Sequence, residues 1–103
     1  MEKLRTELHT FASDRKWQTF HTPKNLAMAL SVETAELVEI FQWMSGKESR
    51  EVDAATRQHI AEEVGDVMIY LTMLADTFGL DPLRCAKKKM KLNAKKYPPS
   101  ESL

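Results

Sequence analysis

The sequence of 103 residues contains one cysteine, three glycines and four prolines, and these shortages exclude several classes of protein. Cys85 has no second cysteine with which to form a disulfide within the chain, and nothing around it has the spacing of a zinc site. The few glycines form no phosphate-binding loop, and there is no nucleophile-elbow motif. We therefore expect neither a disulfide scaffold, nor a zinc module, nor a P-loop protein, nor a serine hydrolase.

The sequence also lacks an excess of charge and a long apolar run. Lys and Arg number 15, as do Asp and Glu, so bulk charge does not favour binding to DNA or RNA. No stretch has the length of a signal peptide core or of a membrane span. We expect a cytoplasmic protein whose partners include neither nucleic acid nor a membrane.

What remains is a helical sequence of ordinary globular composition, with 43% apolar and 29% charged residues. No alternating strand pattern occurs, whereas apolar residues recur at helical spacing. The predicted fold is all-α, an antiparallel four-helix bundle in a single domain over residues 1–98, followed by a disordered tail over 99–103. The four predicted helices cover residues 1–16, 23–44, 53–78 and 82–95.

Prolines and glycines mark the helix boundaries. Thr22-Pro23 and Asp81-Pro82 each place a capping side chain before a proline at the first helical position. Gly46 is predicted to end the second helix and Gly79 the third. Residues 17–21 and 47–52 are predicted to be connectors.

The second predicted helix has a glutamate inside its apolar stripe. With about 100° of turn per residue, Glu33 falls within the stripe and Glu36 on its shoulder. An ionised carboxylate among apolar side chains must be paired, protonated or bound to a cation. A Lys or Arg from another helix and a metal ion are therefore the competing explanations. The stripe consists of Leu26, Leu30, Leu37, Ile40, Phe41 and Met44.

The third predicted helix repeats the acidic spacing. Glu63 and Asp66 lie three residues apart, as Glu33 and Glu36 do, and with Tyr70 they form a column that flanks the apolar stripe. Such a pair alone is also typical of a solvated helix face. The stripe itself is predicted from Ile60, Val64, Val67, Leu71, Leu74 and Phe78.

Together the two acidic pairs predict a metal centre. If the two helices pack antiparallel with their acidic columns facing, four carboxylates converge and repel one another. A divalent cation removes that penalty, and oxygen-only ligands favour Mg²⁺, with Mn²⁺ as a possible substitute. A di-iron centre would need Glu-x-x-His motifs, and the sequence has none.

The two acidic motifs, with three further segments, resemble the MazG-type all-α nucleoside triphosphate pyrophosphohydrolases. These segments are RKWQTFHTPKNLAMAL (residues 15–30), FQW (41–43) and KKMKLNAKKYP (88–98), and they are most similar to the small dCTP pyrophosphatase branch. The resemblance implies Mg²⁺-dependent hydrolysis between the α- and β-phosphates of a nucleoside triphosphate. The expected substrate is dCTP or a related pyrimidine nucleotide. The metal ligands and catalytic residues implied are Glu33, Glu36, Glu63 and Asp66, with Glu36 the first candidate for activating water.

Further residues are candidates for binding the substrate. A nucleobase needs a flat apolar slot, and the aromatic side chains could form it or could be ordinary core residues. By the resemblance, Lys89 is expected to contact phosphate and Asn93 to bind sugar or phosphate. The predicted substrate-binding residues are Trp17, His21, Asn25, Trp43, Tyr70, Lys89, Asn93 and Tyr97, with Phe20 as a further candidate for the slot.

A chain this short buries only a modest core alone, which favours a homo-oligomer. The resemblance implies a tetramer built as a dimer of dimers, with active sites in or near subunit interfaces. Two other functions compete with the enzyme. One is a non-catalytic helical interaction module with a surface acidic cluster. The other is a nucleic-acid binder that uses the lysines of the fourth helix, against which the zero net charge weighs.

Overall fold

The computed structural model describes residues 1–99, which form five α-helices and one 3₁₀ turn, without a strand in that range. The all-α class is therefore confirmed, and the four long helices are the four that the sequence predicts. Residues 100–103 of the predicted tail lie outside the described part. The helices are α1 (Glu2–Asp14), α2 (Pro23–Phe41), α3 (Gly46–Arg50), α4 (Ala54–Asp76) and α5 (Pro82–Lys96), and the 3₁₀ turn is Gln18–Phe20.

The predicted boundary at Gly46 is wrong, because α2 ends at Phe41 and Gly46 begins the short helix α3 inside the predicted connector. The cause is a capping box. The Ser45 side chain accepts a hydrogen bond from the Glu48 backbone at 3.1 Å, and the Glu48 carboxylate accepts one from the Ser45 backbone at 3.1 Å. The sequence Ser-Gly-Lys-Glu carries this signal.

The starts of α2 and α5 are capped as the sequence predicts. The Thr22 hydroxyl accepts a hydrogen bond from the Asn25 backbone at 3.2 Å, and Asp81 Oδ1 accepts one from Leu83 at 2.8 Å. Asp53 caps α4 by accepting one from Thr56 at 2.8 Å. These bonds satisfy backbone N–H groups that have no partner in the first turn of a helix. They fix where α2 and α4, the helices with the acidic pairs, begin.

Helices α2 and α4 pack along each other in antiparallel directions. Near the start of α2, Leu26 shares a cavity with Thr72 and Met73 from the end of α4. Beyond the end of α2, Met44 shares another cavity with Thr56 from the start of α4. This arrangement brings the acidic residues in the middle of both helices to the same level.

The core lies where α1, α2 and α4 meet. Leu26 is 1% exposed, Thr72 2% and Ala12 5%. The Thr72 hydroxyl donates to the Met68 carbonyl at 2.7 Å, so its polar group is satisfied inside the helix. An exposed ion pair between Arg5 and Asp76, at 3.3 Å, joins α1 to α4.

The apolar stripe predicted for α4 is only partly buried. Val64 is 50% exposed and Phe78 62%, whereas Glu63 is buried. Within residues 1–99, α4 turns its acidic side towards α2, so part of its apolar stripe is left without cover. None of the described helices is long and apolar enough to cross a membrane.

Two helices end with the same hydrogen-bond pattern around a residue with positive φ. At the end of α4, the Leu80 N–H bonds to the Ala75 carbonyl and the Gly79 N–H to the Asp76 carbonyl, each at 3.0 Å. This is a Schellman motif, and Gly79 has φ of 66°. At the end of α1, Lys16 has φ of 55° in the same pattern, which places Trp17 directly after the helix.

Gly79→Ala should lower the free energy of unfolding by about 1–2 kcal/mol, because a Cβ disfavours the left-handed backbone. The added methyl would meet no atom within 4 Å, so the cost comes from the backbone alone. Gly46→Ala is the matched control, since Gly46 lies in a helix with equal space around it and no positive φ. That variant should be as stable as the wild type or more so. Equal losses of stability in urea unfolding of the two variants would contradict this account.

Candidate functional site

Three carboxylates from α2 and α4 converge in the middle of the helix pair. Glu33, Glu36 and Glu63 each offer an oxygen, and these atoms all lie within 4.8 Å of one another. Glu33 and Glu36 are half-buried and Glu63 is buried. We call these three residues the acidic cluster.

Two oxygens of the acidic cluster are buried without a hydrogen-bond partner: Oε2 of Glu33 and Oε2 of Glu63. Among residues 1–99, no Lys or Arg forms an ion pair with any member of the acidic cluster. The nearest basic group is His59, whose Nε2 lies 3.7 Å from Glu63 Oε1, too far for a direct hydrogen bond. The explanation of Glu33 by a buried Lys or Arg therefore finds no support in the described residues.

The environment of Glu33 disfavours its ionised form. Burial, the adjoining carboxyls of Glu36 and Glu63, and the charge of Asp66 raise the pKa of Glu33 to about 7 from an ordinary value of 4.5. Without a cation, the protein thus relieves the repulsion by holding a proton on Glu33 near neutral pH. A divalent cation would replace that proton.

The donor set fits a hard divalent cation. Three carboxylates supply oxygen ligands only, and two of their buried oxygens have no other partner. Oxygen ligands are those that Mg²⁺ and Mn²⁺ prefer. Asp66 acts on Glu33 through its charge but lies outside the group of oxygens within 4.8 Å of one another. Of the four predicted ligands, the described structure thus brings three into one cluster and the fourth beside it.

Asp66 connects the acidic cluster to an aromatic pocket between α1, the 3₁₀ turn and α4. This pocket has a volume of ≈ 690 Å³ and its lining is mostly apolar. Four of the candidates for the nucleobase slot line it together with Asp66: Trp17, Phe20, His21 and Tyr70. A mostly apolar pocket with aromatic side chains therefore adjoins the carboxylates.

The wall of the aromatic pocket is fixed by local contacts. The Trp17 ring meets Phe11 edge-on at 5.6 Å and His21 at 6.0 Å between centroids. The Asn25 side-chain amide donates to the Phe20 carbonyl at 3.0 Å and so ties the 3₁₀ turn to the start of α2. Asn25, predicted to bind substrate, thus supports the pocket wall in this structure.

Four other predicted substrate-binding residues belong neither to the acidic cluster nor to the lining of the aromatic pocket. Trp43 follows α2 and is 89% exposed, and Tyr97 follows α5 and is 67% exposed. Lys89 is exposed and Asn93 half-buried on α5. The lining of the aromatic pocket includes none of the four. Their predicted roles stay predictions.

The structure adds residues that the motif reasoning did not select. A second pocket of ≈ 470 Å³ lies on the other side of the acidic cluster, lined by Glu36 and Glu63 and also by Glu39, Thr56 and His59. Glu39 and His59 each lie one helical turn from a cluster residue. That spacing is a signal the sequence did contain. Glu7 of α1 lines the aromatic pocket.

Comparisons with known proteins show which family the chain resembles. The MazG-like family model matches residues 28–103. The chain is 39% identical to dCTP pyrophosphatase 1 of Rattus norvegicus and 38% identical to that of Homo sapiens, over 100 residues that make up 95% of the chain. The chain spans 59% of the length of these curated relatives.

A solved structure is similar throughout. The crystal structure of a pyrophosphatase from Archaeoglobus fulgidus superposes with a TM-score of 0.89 and 45% sequence identity. The superposition covers 96% of this chain and 93% of the other. The predicted resemblance is confirmed: the chain belongs to the MazG-like family.

Proposed function

We propose that the protein is a Mg²⁺-dependent nucleotide pyrophosphohydrolase that converts a deoxynucleoside triphosphate to the monophosphate and pyrophosphate. The proposed substrate is dCTP or a related pyrimidine nucleotide, and the proposed role is cytoplasmic housecleaning of the nucleotide pool. The observation that carries the proposal is the position of the acidic cluster beside the aromatic pocket. The cluster has two buried oxygens without a partner, and the pocket has the aromatic lining that a nucleobase would need. The names of the similar pyrophosphatases support the same reaction class.

Glu33, Glu36 and Glu63 would hold the cation, with Asp66 as a fourth ligand at the pocket side. A bound Mg²⁺ would supply positive charge against the triphosphate and increase the acidity of a coordinated water. The carboxylates fix its position on two rigid helices that are themselves capped and packed. The affinity for the cation would decline at low pH, because Glu33 must lose its proton to bind.

Glu36 is the proposed general base. It is half-buried and borders the second pocket, whereas Glu63 is buried and the Oε2 of Glu33 is enclosed. A carboxylate with access to solvent can accept a proton from the attacking water and pass it on. The attack on the α-phosphorus would break its bond to the bridging oxygen, and pyrophosphate would leave with that oxygen.

The aromatic pocket would receive the base, with Trp17, Phe20 and His21 on one wall and Tyr70 on the other. Asp66 lines the same pocket and lies beside the acidic cluster. A nucleotide whose base binds in the pocket would therefore direct its phosphates towards the acidic cluster. Tyr70, one helical turn from Asp66, is the side chain that we expect to lie beside the sugar.

The exposed apolar surface supports a homotetramer built as a dimer of dimers. The accessible surface of the chain is 8452 Å², about 2,500 Å² more than a compact monomer of 11.8 kDa exposes. A standard interface buries about 800 Å² on each partner, so this excess is enough for more than one interface. Uncovered apolar side chains occur on α2, α4 and α5, among them Val38, Val64 and Met90.

An assembly would also give the remaining candidates a role. Trp43 and the α5 residues Lys89 and Asn93 do not line the aromatic pocket of their own chain. We therefore propose that they act at subunit interfaces, where α5 of one copy approaches the pocket of another.

Product analysis tests the reaction class. With dCTP and Mg²⁺, the products should be dCMP and pyrophosphate in equal amounts, as measured by ³¹P NMR. EDTA should abolish turnover, because the carboxylates alone cannot neutralise the triphosphate. Orthophosphate as the first product would refute the proposal.

Glu33→Gln should abolish turnover, because the variant keeps the shape of the side chain but loses a charged ligand. The metal-free variant should be at least as stable as the metal-free wild type, since removing one carboxylate relieves repulsion. Mg²⁺ should raise its melting temperature less than that of the wild type. Glu62→Gln, an exposed neighbour of the acidic cluster, is the control and should behave as wild type. Breaking a buried ion pair costs about 3–5 kcal/mol, so a loss of that size in metal-free Glu33→Gln would contradict the metal site.

The pH dependence of stability gives a second readout from the same variants. The pKa of Glu33 is raised in the folded state, so its proton stabilises the metal-free protein at pH below 4.5 and this contribution is lost as the pH rises through about 7. The melting temperature of the metal-free wild type should decrease over this range more than that of Glu33→Gln. Parallel curves for the two proteins would show that Glu33 holds no such proton.

The oligomeric state is measured directly by light scattering at micromolar concentration. We expect the mass of a tetramer, because the surface left uncovered by one chain exceeds what one interface buries. A monomer under these conditions would refute the assembly.

A further inference from the structure

Glu7 of α1 is an exposed carboxylate at the edge of an apolar stripe. The stripe of α1 contains Leu4, Leu8 and Phe11, and Glu7 lies one turn after the first and one turn before the last. All four side chains line the aromatic pocket. Together with Asp66, Glu7 is one of two carboxylates on an otherwise largely apolar lining.

The Glu7 carboxylate is free to accept a hydrogen bond from a ligand in this pocket. Within the described part of the chain, it forms neither an ion pair with a Lys or Arg nor a side-chain hydrogen bond. The Glu7 side chain does not cap a helix end, since the residue lies in the regular part of α1. Asp66 belongs with the acidic cluster, so Glu7 is the acceptor in this pocket that the proposed chemistry leaves unused.

The two carboxylates lie on opposite helices. Asp66 is on α4 and borders the acidic cluster, where the phosphates would bind, and Glu7 is on α1. A nucleotide with its phosphates at the acidic cluster and its base among the aromatic side chains would direct the edge of the base towards the α1 wall. The inference that follows rests on the proposed function.

We propose that Glu7 is a specificity-determining residue that selects nucleobases with an exocyclic amino group, cytosine above all, over uracil and thymine. An ionised carboxylate only accepts hydrogen bonds. The 4-amino group of cytosine donates one, and Glu is a known acceptor for it in nucleic-acid recognition. Uracil and thymine carry a carbonyl oxygen at the same position, and two acceptors facing each other in an apolar pocket repel.

The test compares the binding of dCMP and dUMP to the 103-residue chain, in the presence of Mg²⁺, by isothermal titration calorimetry. The two ligands differ in the group at position 4 and in the protonation of the neighbouring ring nitrogen. Wild type should bind dCMP about tenfold or more tightly than dUMP, the discrimination expected of one good contact. In Glu7→Gln the preference should fall to less than about threefold, because the amide can donate to the uracil carbonyl as well as accept. Glu7→Gln should also bind dUMP more tightly than wild type does. A merely structural role of Glu7 would not produce this gain.

Glu51→Gln is the matched control, since it removes the same charge from an exposed residue that does not line the aromatic pocket. This variant should keep the wild-type preference. A wild type without preference, or a preference unchanged in Glu7→Gln, would overturn the role of Glu7. Pyrophosphate release from dCTP, measured in parallel on wild type, separates the two proposals. If it occurs while the preference fails to depend on Glu7, only the specificity inference is wrong; if wild type neither releases pyrophosphate nor binds either nucleotide, both are.

Discussion

The repulsion among carboxylates at the contact of α2 and α4 is the constraint around which the molecule is organised. A helix pair of this length would normally bury apolar side chains at its centre, where this one buries Glu63 and half-buries Glu33 and Glu36. The cost is tolerated through a proton on Glu33 in the metal-free protein and would be removed by a bound cation. The stability of the fold and the proposed binding of a cation would thus be coupled through the same three side chains.

The same constraint explains why so little of this chain is core. Because α4 turns its acidic side to α2, apolar residues such as Val64 and Phe78 are left on the surface, and the buried apolar contacts collect around Leu26 and Ala12 at one end. A chain with this distribution of apolar surface gains stability from further burial. The proposed association of copies and the formation of the acidic cluster would therefore both follow from the helix face that α4 turns towards α2.

The sequence predicted most of this architecture because its local signals are strong. Caps at Thr22 and Asp81, the stop at Gly79 and the paired acidic spacing each have a physical cause within a few residues. The prediction failed at Gly46, where a capping box outweighed the reading of glycine as a helix end. It also took Val64 and Phe78 for core, since periodicity identifies an apolar face but not what will cover it.

The part of the site that could be predicted from the sequence is the acidic cluster, because its residues share one face on each of two helices. The spacing of Glu33, Glu36 and Glu63 required only that two helices meet, and they do. The aromatic pocket depends on how the connector after α1 folds, through the positive φ of Lys16 and the bond from Asn25 to Phe20, which no periodicity encodes. Glu7 is exposed at the edge of its stripe, so the argument from burial that singled out Glu33 does not reach it, and it is identified only by the way the pocket assembles. We expect a cation to be the partner of the Glu33 carboxylate and the base of the nucleotide to be that of Glu7.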